Sequence, residues 1–370
     1  MKRVIIGAGL TGITLAERFA SLGKQVLIIE KRNHFGGNCY DFKDRNGILV
    51  HKYGSHIFHT DYKEPWDYLS KFTDWIYYQH RVLGFIDGKF VPVPFNLNTL
   101  YELFSTRVAG KLEDKLINKF GYGKKIPILV LKKTRDKDLK FLANFVYKKV
   151  FLYYTKKQWG LKPEKIDPSV TARVPLVISR DDRYFQDKYQ GIPKEGYTKM
   201  FRRMLQNQNI EIQLNTDYKD IKNEIKYDSM FYTGPIDEFF DYKFGKLDYR
   251  CLEINFRTLN QESCQSAAVV NYPNNYDFTR IIEFKKLTQQ KCQKTTIGIE
   301  YPRNNGFMAW PVLDEKNKRT LKKYWQEAEK LKKNNIYFIG RLAEYKYYDM
   351  DDTIKRSLDF FNQLKEKETI

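Results

Sequence analysis

The sequence predicts an α/β fold that combines a βαβ unit with a helical insertion and an antiparallel sheet. Three patterns indicate it. Near the N-terminus, two short apolar runs flank an apolar helix pattern. After Pro92 and Pro94, apolar residues recur at helical spacing. Residues 249–301 are rich in β-branched and aromatic residues and contain short polar turns, which is typical of antiparallel strands.

The elements follow in chain order. The N-terminal unit is predicted to consist of strand Lys2–Ile6, helix Gly12–Leu22 and strand Gln25–Glu30. In the middle of the chain, Thr99 is predicted to cap a helix through Val108, and Thr134 a longer helix. The apolar positions of that longer helix are Leu139, Leu142, Val146 and Val150. Toward the C-terminus we expect strand Ile336–Ile339 and a helix that starts near Asp351 or Asp352.

Three glycines, Gly7, Gly9 and Gly12, lie between the first strand and the first helix in the spacing GxGxxG. The first permits a tight turn, the second lets a pyrophosphate approach the backbone, and the third allows close packing of the helix. The helix N-terminus then faces the phosphates. Glu30 ends the second strand, where a carboxylate can bind ribose hydroxyls. The unit is therefore predicted to be a Rossmann-like domain that binds a dinucleotide.

NAD and FAD use the same unit, and further features favour FAD. The Gly36–Gly37 pair follows the ribose-binding acid, where a long cofactor would continue across the domain. Gly340 and Arg341 follow the predicted strand Ile336–Ile339, and this strand end could close on the pyrophosphate. The helix after Met350 could direct its positive end at the flavin. The sequence has no second GxGxxG, which argues against a separate NADPH domain.

We expect three domains. They are a discontinuous FAD-binding domain (1–80, 195–245 and 330–370), a helical insertion domain (96–165), and an antiparallel sheet substrate domain (81–95, 166–194 and 246–329).

The 65 basic and 45 acidic residues give a net charge of +20. Such an excess suits a phosphate-bearing ligand, nucleic acid or an anionic membrane surface. Many of the lysines alternate with apolar residues in 111–149, as on solvated helix faces, so we expect no nucleic acid partner. Peripheral membrane contact stays open. No apolar run is long enough to span a bilayer, and we expect neither signal peptide nor anchor and a cytoplasmic location.

Metal binding is not expected. The four cysteines are scattered without a CxxC pair, which argues against a zinc site and against a disulfide framework. His56 and His59 have a spacing that suits two ligands on one helix face, but no further ligand has convincing spacing.

Several long strings identify a family resemblance: YGSHIFHT, YTKKQWG, YQGIPKEGYTKM, YTGPIDEFFDYKFGKLDYR, FTRIIE and GRLAEYKYYDM. They resemble the bacterial UDP-galactopyranose mutases, in the order in which that family has them. The resemblance implies an isomerase that interconverts pyranose and furanose forms of a nucleotide sugar with reduced FAD. It implies a flavin N5–sugar adduct, furanose donors for surface polysaccharide, and a homo-oligomer.

The resemblance also assigns roles to residues. Arg173 and Arg280 would flank the diphosphate of the substrate, and Arg250 would be a third active-site cation. The positions matching substrate contacts are Tyr154, Thr155, Trp159, Tyr184, Asn271, Tyr347 and Asp349. Besides Gly7, Gly9, Gly12 and Glu30, the positions matching cofactor contacts are Lys31, Gly37, Asn38, His56, Arg341 and Met350.

The sequence departs from the family pattern at positions that are expected near the ligand. They are His80, Glu102, Ala309–Trp310, Leu321 and Phe284, in place of the usual Asn, Gln, Tyr–Tyr, aromatic residue and His. Loss of hydrogen-bonding groups would suit a sugar with fewer hydroxyls, because an unpaired buried polar group costs about 1–3 kcal/mol. UDP-galactopyranose and dTDP-fucopyranose are therefore both candidate donors, with UDP-N-acetylgalactosamine third, and neutral drift at these positions stays open.

Two other classes of protein remain alternatives. An FAD-dependent oxidoreductase of the amine-oxidase type would share the Rossmann unit and a substrate domain, but it has no diphosphate to neutralise with paired arginines. A non-catalytic nucleotide-binding or membrane-associated protein is favoured only by the net charge.

Overall fold

The computed structural model describes residues 2–167 and 174–367. Its strands are β1 (Lys2–Ile6), β2 (Gln25–Ile29), β3 (Asp41–Lys43), β4 (Leu49–His51), β5 (Phe58–Thr60), β6 (Trp75–Tyr77), β7 (Val82–Ile86), β8 (Lys89–Val93), β9 (Lys125–Ile126), β10 (Leu176–Val177), β11 (Tyr189–Pro193), β12 (Ile210–Gln213), β13 (Ser229–Tyr232), β14 (Tyr249–Leu259), β15 (Val269–Asn271), β16 (Arg280–Glu283), β17 (Thr295–Arg303), β18 (Phe307–Pro311) and β19 (Ile336–Phe338). Its helices are α1 (Leu10–Ser21), α2 (Lys63–Ser70), α3 (Leu97–Leu103), α4 (Thr106–Phe120), α5 (Ile128–Leu131), α6 (Lys137–Val146), α7 (Tyr153–Trp159), α8 (Tyr197–Met204), α9 (Tyr218–Ile221), α10 (Ile236–Phe239), α11 (Phe284–Thr288), α12 (Glu315–Leu331) and α13 (Met350–Glu366).

The chain divides into two compact units. The first comprises Met1–Tyr78, Asp187–Tyr249 and Ala309–Ile370, and the second comprises Gln79–Gln186 and Arg250–Met308. The three-domain division expected from the sequence stays a prediction.

A five-stranded parallel sheet with the order β12-β2-β1-β13-β19 forms the centre of the first unit. In chain order this is 3-2-1-4-5, which is the arrangement of a doubly wound dinucleotide-binding fold. Four of the five residues in β1 and in β2 are buried, as expected for strands that are covered on both faces. The predicted α/β fold with a Rossmann-like domain is confirmed.

The N-terminal βαβ unit matches its prediction closely. Strand β1 has the predicted bounds, and β2 ends one residue earlier than predicted, at Ile29. Helix α1 begins at Leu10 instead of Gly12, because Gly9 takes the N-cap position and its carbonyl accepts from Ile13 N at 2.9 Å. The first helical turn is therefore built within the glycine motif.

The C-terminal segment returns to the same unit. Strand β19 is the edge of the parallel sheet, and α13 follows it. Phe361 of α13 packs on Phe19 of α1, with ring centroids 5.4 Å apart, in a buried cluster that includes Ile28 and Phe231. This cluster fixes α1, and with it the glycine motif, against the sheet.

A seven-stranded sheet with the order β18-β14-β17-β16-β15-β7-β8 is the main element of the second unit. The pairs β14–β17, β17–β16, β16–β15 and β7–β8 are antiparallel, and β15 pairs with β7 in parallel. This confirms the antiparallel sheet. Helices α3 to α6 build a separate apolar core, with Leu112, Leu116, Leu139 and Leu142 nearly fully buried. The helical insertion predicted after the two prolines is confirmed.

The predicted caps in this insertion are misplaced by two or three residues. Asn96, not Thr99, caps α3: its Oδ1 accepts from Thr99 N at 3.0 Å, while Thr99 Oγ1 accepts from Asn96 N at 3.2 Å. Thr99 is thus the third helical residue of a capping box. Likewise Asp136, instead of Thr134, caps α6. An amide or carboxylate oxygen is a good acceptor for the free N–H groups of a first helical turn.

Candidate functional site

The glycine motif forms a turn that excludes side chains. A Cβ on Gly12 would lie 2.0 Å from the carbonyl oxygen of Gly7, so no other residue fits there without rebuilding the turn. A Cβ on Gly37 would lie 2.9 Å from the Cα of Gly9, and Gly37 has a φ of +56°. The two backbones therefore approach closely at the N-terminus of α1. That terminus has no side-chain cap, which leaves its N–H groups for an anion.

Glu30 follows β2 and is buried beside this turn. Its Oε2 accepts from Ala8 N at 2.8 Å, and its Oε1 accepts from Arg32 N at 2.9 Å. Each carboxylate oxygen keeps a second lone pair that can accept from a ribose hydroxyl. The geometry thus fits the nucleoside end of a dinucleotide.

Asn38 lies in this part of the unit together with a residue that the sequence did not single out. The Nη2 of Arg32 donates to Asn38 Oδ1 at 3.1 Å, and the guanidinium lies 4.7 Å from the Tyr53 ring centroid. The only sequence signal for Arg32 is its position two residues after Glu30, which is predicted to bind the ribose. Lys31, in contrast, has an exposed side chain that pairs with Glu238 at 3.4 Å.

The environment of His56 keeps its imidazole neutral near pH 7. Burial, helped by the charges of His51 and Arg341, lowers the pKa of His56 to about 3. Its Nδ1 lies 2.8 Å from the carbonyl oxygen of Gly54 and so carries the proton, which leaves Nε2 as an acceptor. His56 can therefore bind or orient a ligand but cannot serve as a cationic acid near neutral pH.

Arg341 is placed by the turn after β19. Gly340 precedes it with a φ of +99°, and a Cβ there would lie 2.6 Å from Thr11 Oγ1 on α1. The turn therefore packs directly on the first turn of α1. Burial raises the pKa of the Cys39 thiol to about 12, and the nearby charge of Arg341 opposes this shift. The structure thus brings Arg341, His56 and the glycine motif into one region of the first unit.

Met350 and Asp349 lie at the start of α13. Asp349 is the N-cap of this helix, and its own N–H donates to Asp352 Oδ2 at 3.1 Å in a reciprocal capping box. Asp351 is also in the first turn. These carboxylates offset the positive end of the helix, which weakens the expectation that it stabilises an anionic flavin. Tyr347, two residues before the cap, is partly buried.

The second unit contains a cationic group built by three strands and one helix. Asn271, Arg280 and Glu300 are direct neighbours across β15, β16 and β17, so their side chains lie on one face of the sheet. Arg280 Nη2 donates to Tyr154 Oη on α7 at 2.8 Å. Asn271 Oδ1 is buried and has no hydrogen-bond partner within residues 2–167 and 174–367. The structure therefore brings three of the predicted substrate residues together.

The remaining residues predicted on the nucleotide side lie on α7 and before β11. Thr155 is buried and Trp159 partly buried, one turn apart on α7. Tyr184 N donates to the carbonyl of His80 at 2.7 Å, and the two rings make an edge contact at 5.7 Å between centroids. His80 thus touches a predicted base-stacking residue directly.

Of the two other predicted arginines, Arg250 lies within the described residues and Arg173 does not. Arg250 Nε donates to the carbonyl of Gln158 at 2.8 Å, and its Nη2 donates to the carbonyl of Lys157 at 3.2 Å. Arg250 therefore stabilises the C-terminal end of α7. Arg173 lies outside the described residues.

Two departures from the family pattern lie in hydrophobic cores. Phe284 is fully buried and packs on Phe256, with centroids 5.8 Å apart, while Leu321 packs on a core cluster of the first unit. The structure shows apolar packing at both positions. Glu102 is exposed. The expectation that the departures are concentrated around the ligand stays a prediction.

No helix within residues 2–167 and 174–367 is both long and apolar enough to cross a bilayer. In the same ranges, no three His, Cys, Asp or Glu side chains are grouped so that they could hold a metal ion.

Comparison with known proteins identifies the family. The profile of UDP-galactopyranose mutases matches residues 149–347, and that of NAD(P)-binding Rossmann-like domains matches residues 5–72. The chain is 35% identical to a probable UDP-galactopyranose mutase of Klebsiella pneumoniae, over 96% of this chain and 92% of the relative. It is also 35% identical to a dTDP-fucopyranose mutase of Escherichia coli, over 97% of each chain. The crystal structure of a reduced UDP-galactopyranose mutase shares the fold with a TM-score of 0.75 at 16% identity, over 100% of this chain and 94% of that one. The chain belongs to the UDP-galactopyranose mutase family.

Proposed function

We propose that this chain is a flavin-dependent mutase that interconverts the pyranose and furanose forms of a nucleotide-linked hexose. The observation that supports it most directly is Arg280, held by Tyr154 and Glu300 beside Asn271, in a chain that also contains a dinucleotide cradle. A guanidinium that is fixed in this way suits a diphosphate, whose oxygens it can bind by two parallel hydrogen bonds.

The cofactor is FAD, and it is active when reduced. The glycine turn and the N-terminus of α1 would hold the pyrophosphate, and Glu30 would hold the ribose. Asn38, His56 and Arg341 would contact the rest of the cofactor. A bound reduced flavin supplies an electron-rich nitrogen that can act as a nucleophile toward a sugar carbon.

Arg280 has the main electrostatic role in this proposal. When the bond between the anomeric carbon and the diphosphate breaks, negative charge grows on the departing phosphate oxygen. A preorganised guanidinium stabilises that charge more in the transition state than in the ground state, which raises kcat. Arg173 would act as its partner. Tyr154, Trp159 and Tyr184 would provide the aromatic faces for the nucleobase, with Thr155 beside them.

The two leading candidate donors are UDP-galactopyranose and dTDP-fucopyranose, and UDP-N-acetylgalactosamine is the third candidate. Identity does not separate the first two, because the chain is 35% identical to a relative of each kind. His80 is the departure with the clearest route to specificity, since it contacts the ring of Tyr184. The furanose product would serve as a donor for a surface polysaccharide.

The proposal is tested by a donor panel. Enzyme reduced with dithionite is incubated anaerobically with UDP-galactopyranose, dTDP-fucopyranose or UDP-N-acetylgalactosamine, and the nucleotide sugars are separated by chromatography. We expect a furanose product from one or two of them. In a parallel aerobic incubation of the oxidised enzyme, oxidation of a substrate with reduction of oxygen to hydrogen peroxide would instead support an oxidase of the amine-oxidase type.

A further inference from the structure

A lysine from another element binds the connection between β15 and β16 at three points. Lys157 on α7 donates from Nζ to the carbonyl oxygens of Tyr272 at 2.5 Å, Tyr276 at 3.1 Å and Phe278 at 2.9 Å. An ammonium group has three N–H donors, and here all three serve this one turn. We call residues 272–279 the arginine turn, because Arg280 follows it directly.

The arginine turn is also held from a second side. Asn274 Nδ2 donates to the carbonyl of Lys149 at 2.9 Å, within the π-helical segment Tyr147–Leu152. A π-helical turn is wider than an α-helical one and is often found at functional sites. Within the turn, the rings of Tyr272 and Phe278 pack at 5.0 Å between centroids. Two hydrogen-bonded anchors therefore fix the turn to one continuous helical segment.

Asn271 and Arg280 lie at the two ends of this turn and face each other across β15 and β16. Arg280 Nη2 donates to Tyr154 Oη at 2.8 Å, and Tyr154 precedes Lys157 by one helical turn. Strands β15 and β16 and the arginine turn between them form a hairpin. One face of α7 therefore contacts this hairpin twice, at Arg280 itself and within the arginine turn.

Helix α7 is itself tied to the sheet. Arg250 on β14 donates to the carbonyls of Lys157 and Gln158. A continuous set of charge-assisted hydrogen bonds thus runs from β14 through α7 to the hairpin, with Lys157 as the member that reaches the turn. Lys157 is partly buried and has Asp277 of the same turn nearby.

We propose that Lys157 is a positioning residue. It fixes the arginine turn to α7 and thereby holds Arg280 in place. The inference rests on the proposed function, because that function gives Arg280 the departing diphosphate to stabilise. A catalytic group that is displaced by about 1 Å can lose about a hundredfold in rate, so a loosened turn would be measurable.

The first test compares Lys157→Met with Lys156→Met. Lys156 is the exposed neighbour on the same helix, and its Nζ lies 6.0 Å from the ring centroid of Tyr153. We expect Lys157→Met to lower kcat by about tenfold to about a hundredfold with a smaller change in KM, and Lys156→Met to stay within about twofold. Lys157→Arg should recover part of the loss, because a guanidinium can also donate to several carbonyls.

The decisive test asks whether Lys157 acts through Arg280. UDP and dTDP are titrated separately by calorimetry into wild type, Lys157→Met, Arg280→Ala and the double variant. We expect Lys157→Met to weaken binding of the preferred nucleotide by about tenfold in wild type and to have little further effect in Arg280→Ala. Equal losses in both backgrounds, or affinity equal to that of Lys156→Met, would overturn the proposal.

Binding and turnover separate the two proposals. If wild type binds UDP or dTDP but converts no donor, the proposed function fails and the titration still tests Lys157. If wild type binds neither nucleotide, both proposals fail. Should Lys157→Met not fold, Asn274→Ala removes the second anchor of the turn, and it should weaken nucleotide binding in the same Arg280-dependent way.

Discussion

Arg280 Nε lies 3.1 Å from Oε1 of Glu300, its direct neighbour across β16 and β17. Glu300 is almost fully buried, and its Oε1 also accepts from Thr279 Oγ1 at 3.1 Å. Arg280 is only partly buried, but burial of the Glu300 carboxylate is costly unless that group is well satisfied. The ion pair is therefore better explained by aiming the guanidinium than by stabilising the fold.

Glu300→Gln therefore should impair the reaction more than the fold. The amide keeps the shape and one acceptor but removes the charge that orients Arg280. We expect kcat to fall by about tenfold or more and the flavin content to stay unchanged. Steady-state kinetics and the flavin absorbance of the purified variant measure both. A variant with wild-type kcat would show that Arg280 is positioned without this carboxylate.

Arg280→Ala tests the electrostatic role itself. Removal of one preorganised donor to a developing negative charge costs about a hundredfold to about a thousandfold in kcat. Arg303→Ala is the matched control, since Arg303 also lies in this sheet and pairs with a carboxylate, Glu253, but at an exposed site. We expect the control to stay within about twofold, and both proteins to be yellow. Near-normal turnover of Arg280→Ala would remove this residue from the mechanism.

Gly37→Ala tests the dinucleotide cradle. The new Cβ would lie 2.9 Å from Gly9 Cα, so the two backbones must separate. Gly47→Ala is matched in backbone strain, because Gly47 has a φ of +75°, but a Cβ there would meet nothing within 4 Å. We expect Gly37→Ala to be purified without flavin and Gly47→Ala to retain it. Full flavin content in both variants would place the cofactor elsewhere.

The stability of the protein should fall in mild acid. Burial lowers the pKa of His51 to about 4 and that of His56 to about 3, from an ordinary value of 6.5. The unfolded chain binds protons that the folded chain excludes. The free energy of unfolding is therefore undiminished above pH 6.5 and decreases as pH falls toward 4. At about pH 5 each histidine would account for up to about 2 kcal/mol of this loss.

The variant His51→Asn tests whether His51 contributes to this loss of stability in acid. The His51 Nδ1 accepts from His56 N at 3.0 Å, and an Asn Oδ1 can accept in its place. We expect the unfolding temperature of the variant to fall by less between about pH 7 and about pH 5 than that of wild type. An unchanged slope would mean that His51 does not contribute to the acid lability.

The part of the site that is local in sequence was readable from the sequence. Gly7, Gly9, Gly12 and Glu30 follow one another within a single βαβ unit, and each has a conformational or chemical reason for its identity. The first strand was predicted to the residue. The caps of α3 and α6 were misplaced because Asn96, Thr99, Thr134 and Asp136 are all good caps, and their hydrogen bonds decide between them.

The part that depends on distant contacts was not readable from residue patterns. Tyr154 and Arg280 are 126 positions apart, and only the family resemblance paired them. Lys157 was missed because nothing in the string YTKKQWG distinguishes it from the exposed Lys156. The string RIIE does not show that strand β16 ends at Glu283 and that the next side chain, Phe284, enters the core.

The central claim is that this chain isomerises a nucleotide hexose with a reduced flavin and without net oxidation. The measurement that tests it most directly compares oxidised and dithionite-reduced enzyme on the preferred donor under anaerobic conditions, with the product identified by NMR. We predict a furanose product from the reduced enzyme alone, with total nucleotide sugar conserved. Absence of furanose from every donor tested, or equal conversion by oxidised enzyme, would contradict the account.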